Sequence, residues 1–369
     1  MPRGMQQERP LRRGWTTGSC ATAAAKAAYH ALLHGDFPDP VTITLPGGQT
    51  PAFALAEHRL GEGFAEAGVV KDAGDDPDVT HGALVRSKVR LLPPGSGIVF
   101  AAGEGVGHAT RPGLPIAPGE PAINPTPRRM LRQAIAEVGG QGDVEIEISI
   151  PGGAALALKT LNGRLGVIGG LSILGTTGIV VPFSCAAWID TIHRGVDVAR
   201  ALGLEHVAGA TGDTSEKAIQ RRHDLSEPAL IDMGDFAGGM LKYLRGHPVP
   251  KVSIAGGIGK MAKLAQGLLD LHSRSGRLDL AQLAERARAL GADAGLVQAM
   301  SAANNGADAV QLAAAAGLPL GNAIAAAAWE TAAKVLAGTE IALEIAVFDH
   351  AGQLVGLQDF RRVHAAPPR

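Results

Sequence analysis

The chain has 369 residues, of which 46% are apolar and 4% aromatic, and its formal net charge is −1. This length predicts two globular domains, or one large one. The lack of a net positive charge and the scarcity of aromatic side chains argue against a nucleic-acid partner. The two cysteines, Cys20 and Cys185, are far apart and form no Cys-x-x-Cys motif, so they indicate neither a disulfide framework nor a zinc site.

The first predicted helix follows a turn of small polar residues near the N-terminus. We expect residues 1–14 to form a loose arm, and the Ala-rich run after Gly14–Cys20 (G-W-T-T-G-S-C) to be helical. Thr17 or Ser19 can cap this helix, and a helix N-terminus behind small hydroxyl residues could also hold an anion. Both roles stay open, so Thr16 and Thr17 are candidate substrate-binding residues.

The most unusual stretch is the acidic loop Val70–Gly82, which reads V-K-D-A-G-D-D-P-D-V-T-H-G. Gly74 and Pro77 exclude regular structure, and the apolar residues before the loop place it at the end of a strand. A solvated acidic turn and a loop that aims several polar groups at one ligand are both consistent with this pattern. The candidate functional residues of the acidic loop are Lys71, Asp72, Asp75, Asp76 and His81.

The segments on either side of residue 100 add cations. Apolar and polar residues alternate over Ala83–Leu92, which predicts a strand. Three cations lie on one face of this strand, namely Arg86, Lys88 and Arg90. Such a row fits either an ordinary wet face or the lining of a polyanion site. A helix predicted to start at Pro127 carries further arginines.

A second loop, Gly103–Leu114, combines alternating glycines with charged residues. It resembles a phosphate cradle, but His108 stands where the third glycine of the dinucleotide fingerprint would be. The glycines still allow a ligand to approach the backbone closely. Glu104, His108 and Arg111 would offer that ligand an acid, a titratable base and a fixed cation.

The composition changes near Leu161, after which strands and helices alternate with glycine at their junctions. We predict an α+β domain over residues 1–160 and an α/β domain over residues 161–369, whose sheet is doubly wound and mostly parallel. The uncharged run Leu165–Ile189 is long enough to span a bilayer, but its glycines and Pro182 favour buried strands joined by turns. We therefore expect a soluble, cytoplasmic protein without a membrane partner.

The strand–loop–helix junctions of the second domain should meet at the carboxyl edge of its sheet, where ligands of such sheets bind. The junction Gly256–Lys260 matches a relaxed dinucleotide pattern through its glycines and Ala262, but no acid follows at the end of a next strand. Met261 stands where a phosphate-binding loop needs Ser or Thr. This junction therefore indicates a nucleotide-like group, and neither ATP nor NAD in particular.

Five blocks of the chain together resemble the CbiD family of cobalt-precorrin-5B C1-methyltransferases. They stand in the order of the family and cover the chain from about residue 12 to 360. Each glycine loop alone would be a weak signal, whereas the blocks together are specific. The blocks are Gly14–Cys20, Val70–Gly82, Gly103–Leu114 with Asn124-Pro125, Leu171–Gly178 and Gly256–Lys260.

This resemblance implies S-adenosyl-L-methionine as the methyl donor and cobalt-precorrin-5B, a polycarboxylate tetrapyrrole, as the acceptor in cobalamin biosynthesis. The product would be cobalt-precorrin-6A, and the cobalt belongs to the substrate, so we predict no protein-bound metal. On the acceptor side we assign catalytic roles to Asp72, Asp75, His81 and His108, and substrate contacts to Lys71, Asp76, Arg86, Glu104, Arg111, Thr16 and Thr17. On the donor side we assign binding to Gly169, Gly170, Thr176, Thr177, Gly212, Asp213, Gly256, Gly257, Gly259 and Lys260.

The residues alone leave two other classes of protein open. A non-catalytic corrinoid carrier would need a basic groove but no donor pocket. A small-molecule kinase would need a phosphate-binding loop, which this chain lacks in its standard form. The sequence also leaves open whether the chain forms a homo-oligomer.

Overall fold

The computed structural model of the protein describes residues 10–140 and 142–363. The chain divides into two compact units, Met1–Cys185 and Ala186–Arg369. Residues 1–9 of the predicted N-terminal arm lie outside the described residues, so the prediction for them is untested.

The first unit is built from short strands and helices of very different length. Its strands are β1 (Gly14–Trp15), β2 (Val41–Thr42), β3 (Ala52–Phe53), β4 (Glu57–Gly61), β5 (Phe64–Val70), β6 (Leu84–Leu91), β7 (Ile98–Ala102), β8 (His108–Ala109), β9 (Val144–Ser149), β10 (Val167–Ile168) and β11 (Ile179–Val180). Its helices are α1 (Thr17–His34), α2 (Pro125–Val138), α3 (Gly153–Ala157) and α4 (Asn162–Leu165).

A five-stranded sheet in the order β4-β5-β6-β9-β7 forms the largest sheet of this unit, antiparallel except between β7 and β9. Helix α1 packs on it through alanines, so the backbones come close, and Ser87 Oγ on β6 donates a 2.9 Å hydrogen bond to the carbonyl of Ala21. Burial alternates along β6, with Val85, Ser87 and Val89 inside. The cations of β6 therefore lie on the other face, as the period-two alternation predicts.

Residues 161–185 pack within the first unit, so the boundary lies after Cys185 and not near residue 160 as the composition predicts. Strand β10 pairs with β8, and β11 pairs with β1, both antiparallel. These backbone hydrogen bonds connect the uncharged run Leu165–Ile189 to earlier parts of the first unit. Composition alone does not predict such pairing. Among the helices of the described ranges, none is long and apolar enough to cross a membrane.

Among the described residues, the second unit begins with alternating helices and strands, continues with five helices in succession, and ends in a strand hairpin. Its strands are β12 (His206–Ala210), β13 (Leu230–Asp232), β14 (Lys251–Gly257), β15 (Ala342–Phe348) and β16 (Leu354–Arg362). Its helices are α5 (Cys185–Ala201, starting one residue before the unit), α6 (Asp213–His223), α7 (Ala237–Gly246), α8 (Ile258–Ala265), α9 (Leu280–Ala289), α10 (Ala294–Ser301), α11 (Gly306–Ala315) and α12 (Leu320–Val335).

The strands of the second unit form one sheet in the order β13-β12-β14-β15-β16, parallel except for the last strand. Apolar side chains cover both faces, since Val207 and Ile254 belong to the large hydrophobic core, whereas Ala208 and Ala255 pack with Ile219 of α6 in a smaller one. The predicted mixture of helices and sheets in both parts is confirmed, and the doubly wound arrangement stays a prediction.

Candidate active site

In the acidic loop, two of the aspartates bind the residues just before β1. The Arg12 guanidinium donates two hydrogen bonds to Asp72, one of them 2.9 Å long, and the Arg12 backbone N–H donates to Asp75 at 2.6 Å. The bonds from Arg12 and from the Gly74 N–H lower the pKa of Asp72 to about 2. The chain around Arg12 is therefore bound to the acidic loop, and the prediction of a loose arm is wrong for this part.

The other two aspartates also hold neighbouring parts of the chain. Asp76 accepts a 2.8 Å hydrogen bond from the backbone N–H of Phe183, and Asp78 accepts from Thr80 and from the ammonium group of Lys71. Lys71 is 2% exposed, so this geometry does not offer it to a substrate. Burial raises the pKa of Asp78, but the hydrogen bonds from Lys71 and Thr80 outweigh it and keep the pKa below its usual value.

The two histidines assigned to catalysis differ in what their ring nitrogens do. His81 Nδ1 accepts a 3.1 Å hydrogen bond from the backbone N–H of Ala73, which leaves the proton of the neutral ring on Nε2. His108 is exposed on β8, where its backbone pairs with Ile168, and no side-chain hydrogen bond engages its ring within the described ranges. Of the two predicted catalytic histidines, His108 is thus the one whose ring has no hydrogen-bond partner among the described residues.

The turn before α1 is closed by the segment 174–178. Thr16 is the N-cap of α1 and accepts from the Ser19 N–H at 3.2 Å, so the predicted caps Thr17 and Ser19 are wrong. Thr17 Oγ1 accepts from the Leu174 N–H at 3.1 Å, and the Gly18 N–H donates to the Leu174 carbonyl. Thr16 and Thr17 are buried, and their hydroxyl groups make structural contacts, which argues against an anion site at this helix N-terminus.

The remaining acceptor-side residues are spread over the first unit. Arg86 forms an ion pair with Glu57, and Arg111 donates to the Arg164 carbonyl at 2.8 Å. Glu104 is exposed and accepts only a long, 3.4 Å hydrogen bond from the Gly152 N–H among the described residues. Glu104 therefore remains available to a ligand, whereas the two arginines already have protein partners.

Four of the assigned donor-side residues lie in the first unit, away in sequence from the others. Gly169 has a positive φ of 89°, and a Cβ on Gly170 would lie 2.3 Å from the Gly105 carbonyl oxygen. Thr176 is exposed, and Thr177 Oγ1 accepts a 3.2 Å hydrogen bond from the Ile179 N–H. Close backbone packing and turn formation therefore explain Gly170 and Thr177 without a ligand.

The other donor-side residues meet at the carboxyl edge of the second unit's sheet. Strand β12 lies between β13 and β14. The connection after β12 leads to β13 on one side, and the connection after β13 leads back to β14 on the other side of β12. The ends of β12 and β14 are neighbours there, because the Thr211 N–H, just after β12, donates to the Ala255 carbonyl of β14 at 3.0 Å. Such a switch point is where open α/β sheets bind their ligands.

The two junctions that follow β12 and β14 leave open space at this edge. A Cβ built on Gly212, Gly257 or Gly259 would meet no atom within 4 Å, and Gly257 has an ordinary φ of −70°. Gly256 differs, since its Cβ would lie 2.6 Å from Met261 Sδ and 2.8 Å from Thr211 Oγ1. The edge thus offers backbone and space to a ligand, beside the N-termini of α6 and α8.

Charged residues flank this edge. Asp213 is exposed and pairs with Lys217 one helical turn away at 2.8 Å. Lys260 pairs with Asp235, which partly satisfies its charge and weakens its assignment as a ligand contact. Asp213 is the better placed of the two assigned charged groups, because 74% of its side chain is exposed, against 36% for Lys260.

Trp188 is a residue that sequence reasoning missed. Its indole N–H donates to the Asp232 carbonyl at 3.2 Å, its ring lies 3.4 Å from the position of a Cβ on Gly234, and 46% of its surface is exposed. It therefore presents an aromatic face at the carboxyl end of β13. The signal available in the sequence was its rarity, since the chain has 3 tryptophans.

Within the described ranges, no group of three or more His, Cys, Asp or Glu side chains is placed to hold a metal ion. The expectation that the protein itself binds no metal stays a prediction. Cys20 is buried, and burial is the main reason that its pKa rises to about 12, so it is not a nucleophile at neutral pH.

Comparison with known proteins matches both units. A family model described as CbiD matches residues 4–182, and one described as CbiD, C-terminal domain, matches residues 270–359. A Bradyrhizobium protein named cobalt-precorrin-5B C(1)-methyltransferase is 61% identical over 352 residues, 94% of each chain. One of that name from Agrobacterium fabrum is 62% identical over 359 residues, 97% of this chain and 96% of that one.

One solved structure is also similar to this chain. It is a 1.9 Å crystal structure titled cobalamin biosynthesis protein (cbiD) from Archaeoglobus fulgidus, 28% identical and covering 69% of this chain and 80% of that chain. The TM-score between the two structures is 0.39.

Proposed function

The chain belongs to the CbiD family, and we propose that it methylates C1 of cobalt-precorrin-5B in cobalamin biosynthesis. The observation that carries this proposal is the 61% identity over 94% of the chain to a relative named for that reaction. The methyl donor that we propose is S-adenosyl-L-methionine, which supplies a methyl group activated by its sulfonium charge. The chain then has to bind the donor and the acceptor, position them for transfer and exclude water. These tasks are sufficient because the donor is already activated.

We assign the donor to the carboxyl edge of the second unit's sheet. The open space over Gly212, Gly257 and Gly259 suits a group that approaches the backbone closely. Asp213 is the carboxylate that would accept hydrogen bonds from a ribose diol. Gly256 lacks a side chain for a different reason, because Met261 and Thr211 occupy the space where its Cβ would be.

We assign the acceptor to the first unit, with His108 as the group that accepts a proton from the ring system. Its ring is exposed and its nitrogens have no partner within the described residues. Asp72 is a poor base, because a carboxylate whose pKa is about 2 holds a proton only weakly. Asp72 and Asp75 are better explained as residues that position the acidic loop.

The direct test is incubation of the protein with cobalt-precorrin-5B and methyl-labelled S-adenosyl-L-methionine. We expect the acceptor to gain one labelled methyl group by mass spectrometry, and none without the donor. An acceptor that binds tightly but gains no methyl group would identify a carrier. Product formation that requires ATP in place of the methyl donor would identify a kinase.

The donor assignment can be tested at Gly257. Replacing it by Leu fills open space without backbone strain, so we expect the melting temperature to be unchanged. The Leu side chain would prevent the donor from approaching the backbone, so we expect the donor Kd to rise by at least about 10-fold. Gly246→Leu is the matched control, since it also has no atom within 4 Å of its Cβ position. An unchanged donor affinity of Gly257→Leu in calorimetry would move the donor site elsewhere.

The proposed base can be tested at His108. We expect His108→Ala to lower kcat by about 100-fold or more, the usual contribution of a general base, and to leave the donor Kd unchanged. His58→Ala changes an exposed histidine of β4 in the same unit and should retain full activity. Full turnover of His108→Ala would exclude His108 as the base.

A further inference from the structure

A basic groove lies beside α2 in the first unit. Its volume is about 440 Å³. Its walls are the loop 115–120 and the first turns of α2. The lining residues are Pro115, Ile116, Ala117, Glu120, Pro125, Arg128, Arg129 and Arg132. Three arginines against one glutamate leave an excess of positive charge in this arginine groove.

The excess charge belongs to Arg129 and Arg132. Arg128 is bound to Glu120 at 2.8 Å and to the Ile123 carbonyl at 2.8 Å, so these two opposite charges compensate each other. The Arg129 guanidinium donates to Thr126 Oγ1 at 2.9 Å, which does not neutralise it. A ligand that entered the groove would therefore meet two exposed cations with no carboxylate of their own among the described residues.

Arg132 is held in a way that leaves its donors usable. Its guanidinium lies 5.1 Å from the centre of the Phe100 ring. Stacking on an aromatic face orients a guanidinium while its N–H groups still point outward in the plane. A planar fork of this kind matches a carboxylate with two parallel hydrogen bonds.

The groove also adjoins the strand that carries His108. The Ala109 N–H donates to the Glu120 carbonyl at 3.0 Å, and the Gly119 N–H donates to the Ala109 carbonyl at 2.7 Å. His108 itself forms a backbone bridge with Pro121. One wall of the arginine groove is therefore hydrogen-bonded to β8.

We propose that the arginine groove binds peripheral carboxylates of the acceptor, with Arg129 and Arg132 as their partners. This proposal rests on the proposed function, whose acceptor is a polycarboxylate tetrapyrrole. A volume near the lower end of the range of about 300–1,000 Å³ for small-molecule sites suits part of the rim of the macrocycle. The carboxylates held there anchor the ring next to β8.

The test is steady-state kinetics of Arg129→Gln, Arg132→Gln and the double variant. Each loss of a charge-assisted pair should raise the KM for cobalt-precorrin-5B by about 10-fold, with kcat within about twofold and the donor Kd unchanged. Acceptor binding by the double variant should also weaken less steeply with added salt, because fewer ions pair in the complex.

The matched control is Arg59→Gln. Arg59 is also an exposed arginine stacked on a phenylalanine, 4.9 Å from the centre of the Phe64 ring, but it lies on β4 outside the groove. We expect its KM for the acceptor to equal that of the unmodified protein. A rise in KM of the same size in Arg59→Gln would show a general charge effect and overturn the assignment to the groove.

The outcomes separate this proposal from the proposed function. If the unmodified protein methylates the acceptor and the double variant has an unchanged KM, the groove is not the carboxylate site and the function stands. If the unmodified protein forms no methylated acceptor, the proposed function is wrong. Equilibrium binding of cobalt-precorrin-5B to the Arg132→Glu variant then still tests the groove. Unweakened binding by the folded Arg132→Glu protein would overturn it.

Discussion

At the scale of residues, burial decides what a polar side chain can do. Lys71 was a candidate substrate contact from sequence, but the structure encloses its side chain and pairs it with Asp78. The acidic loop as a whole behaves similarly, since each aspartate has a partner within the chain. The loop is therefore better explained as an organised scaffold than as a cluster of free carboxylates.

Lys71→Met provides the first residue-scale prediction. Removing the ammonium group leaves Asp78 without its main partner in a half-buried position, so we expect the free energy of unfolding to fall by about 2–3 kcal/mol. Urea denaturation measures this change, and adding Asp78→Asn should recover part of the loss. Lys217→Met, at an exposed pair, should stay within about 0.5 kcal/mol. A fully stable Lys71→Met protein would contradict the structural role.

A buried network in the second unit predicts a pH dependence. Glu344 is fully buried and accepts 2.7 Å hydrogen bonds from Ser253 Oγ and from His223 Nε2, and His206 Nε2 contacts Ser253 Oγ at 2.8 Å. Because Ser253 donates to Glu344, it accepts the hydrogen bond from His206. Burial first, and then the charge of His223, lowers the pKa of His206 to about 4, while Glu344 opposes and Lys251 adds to this shift.

The sign follows from proton binding. The unfolded chain, with His206 near its ordinary pKa of about 6.5, binds more protons than the folded chain between about pH 6.5 and 4. This contribution to stability is present above pH 6.5 and is lost as the pH falls to about 4, with an upper limit of about 3 kcal/mol. His206→Gln should remove this part of the urea-denaturation profile, and His350→Gln, at an exposed position, should retain it. Superimposable profiles for His206→Gln and the unmodified protein would refute the prediction.

At the scale of elements, the alternation of β6 and the strand–loop–helix junctions follow the sequence pattern closely. Strand β12 follows from local signals, because an apolar run and a following glycine turn are both visible in the sequence. The cap of α1 and the position of β1 do not follow from local signals. Strand β1 is two residues long, and it exists because β11 pairs with it and the Trp15 N–H donates to the Asp72 carbonyl at 2.7 Å.

Gly14→Ala tests how tightly β1 is held against the acidic loop. A Cβ at Gly14 would lie 2.0 Å from the carbonyl carbon of Ala73, so backbone must shift. We expect a loss of about 1–3 kcal/mol in the free energy of unfolding, the usual result of overpacking. Gly163→Ala is the matched control, because its Cβ would meet no atom within 4 Å, and it should be neutral or slightly stabilising. Equal stability of both variants would contradict this packing.

At the scale of the whole molecule, each compact unit has a hydrophobic core of its own. Ile146 belongs to the core of the first unit, and Ile254 to the large core of the second. Separate cores are the usual condition for domains that unfold as separate units. The family models also match one part of each unit.

Hydrogen exchange in increasing urea tests this organisation. Ile146→Ala should lower the opening free energy of first-unit peptides by about 2–5 kcal/mol and leave second-unit peptides within about 0.5 kcal/mol. Ile254→Ala should have the reverse effect, and it serves as the matched control. Equal changes in both units for either variant would indicate a single cooperative transition instead.

The sequence by itself determined the family and the main strands and helices, because these depend on ordered motifs and on local periodicity. Only the tertiary structure decided which polar groups remain available, since their partners are remote in sequence. Arg12 lies 60 residues from Asp72, and Asp76 lies 107 residues from Phe183. No local pattern specifies such hydrogen bonds. The same remoteness explains why the acidic loop looks catalytic in the sequence but is held by protein partners in the fold. His108 and the two exposed arginines of the arginine groove, in contrast, remain available to a ligand.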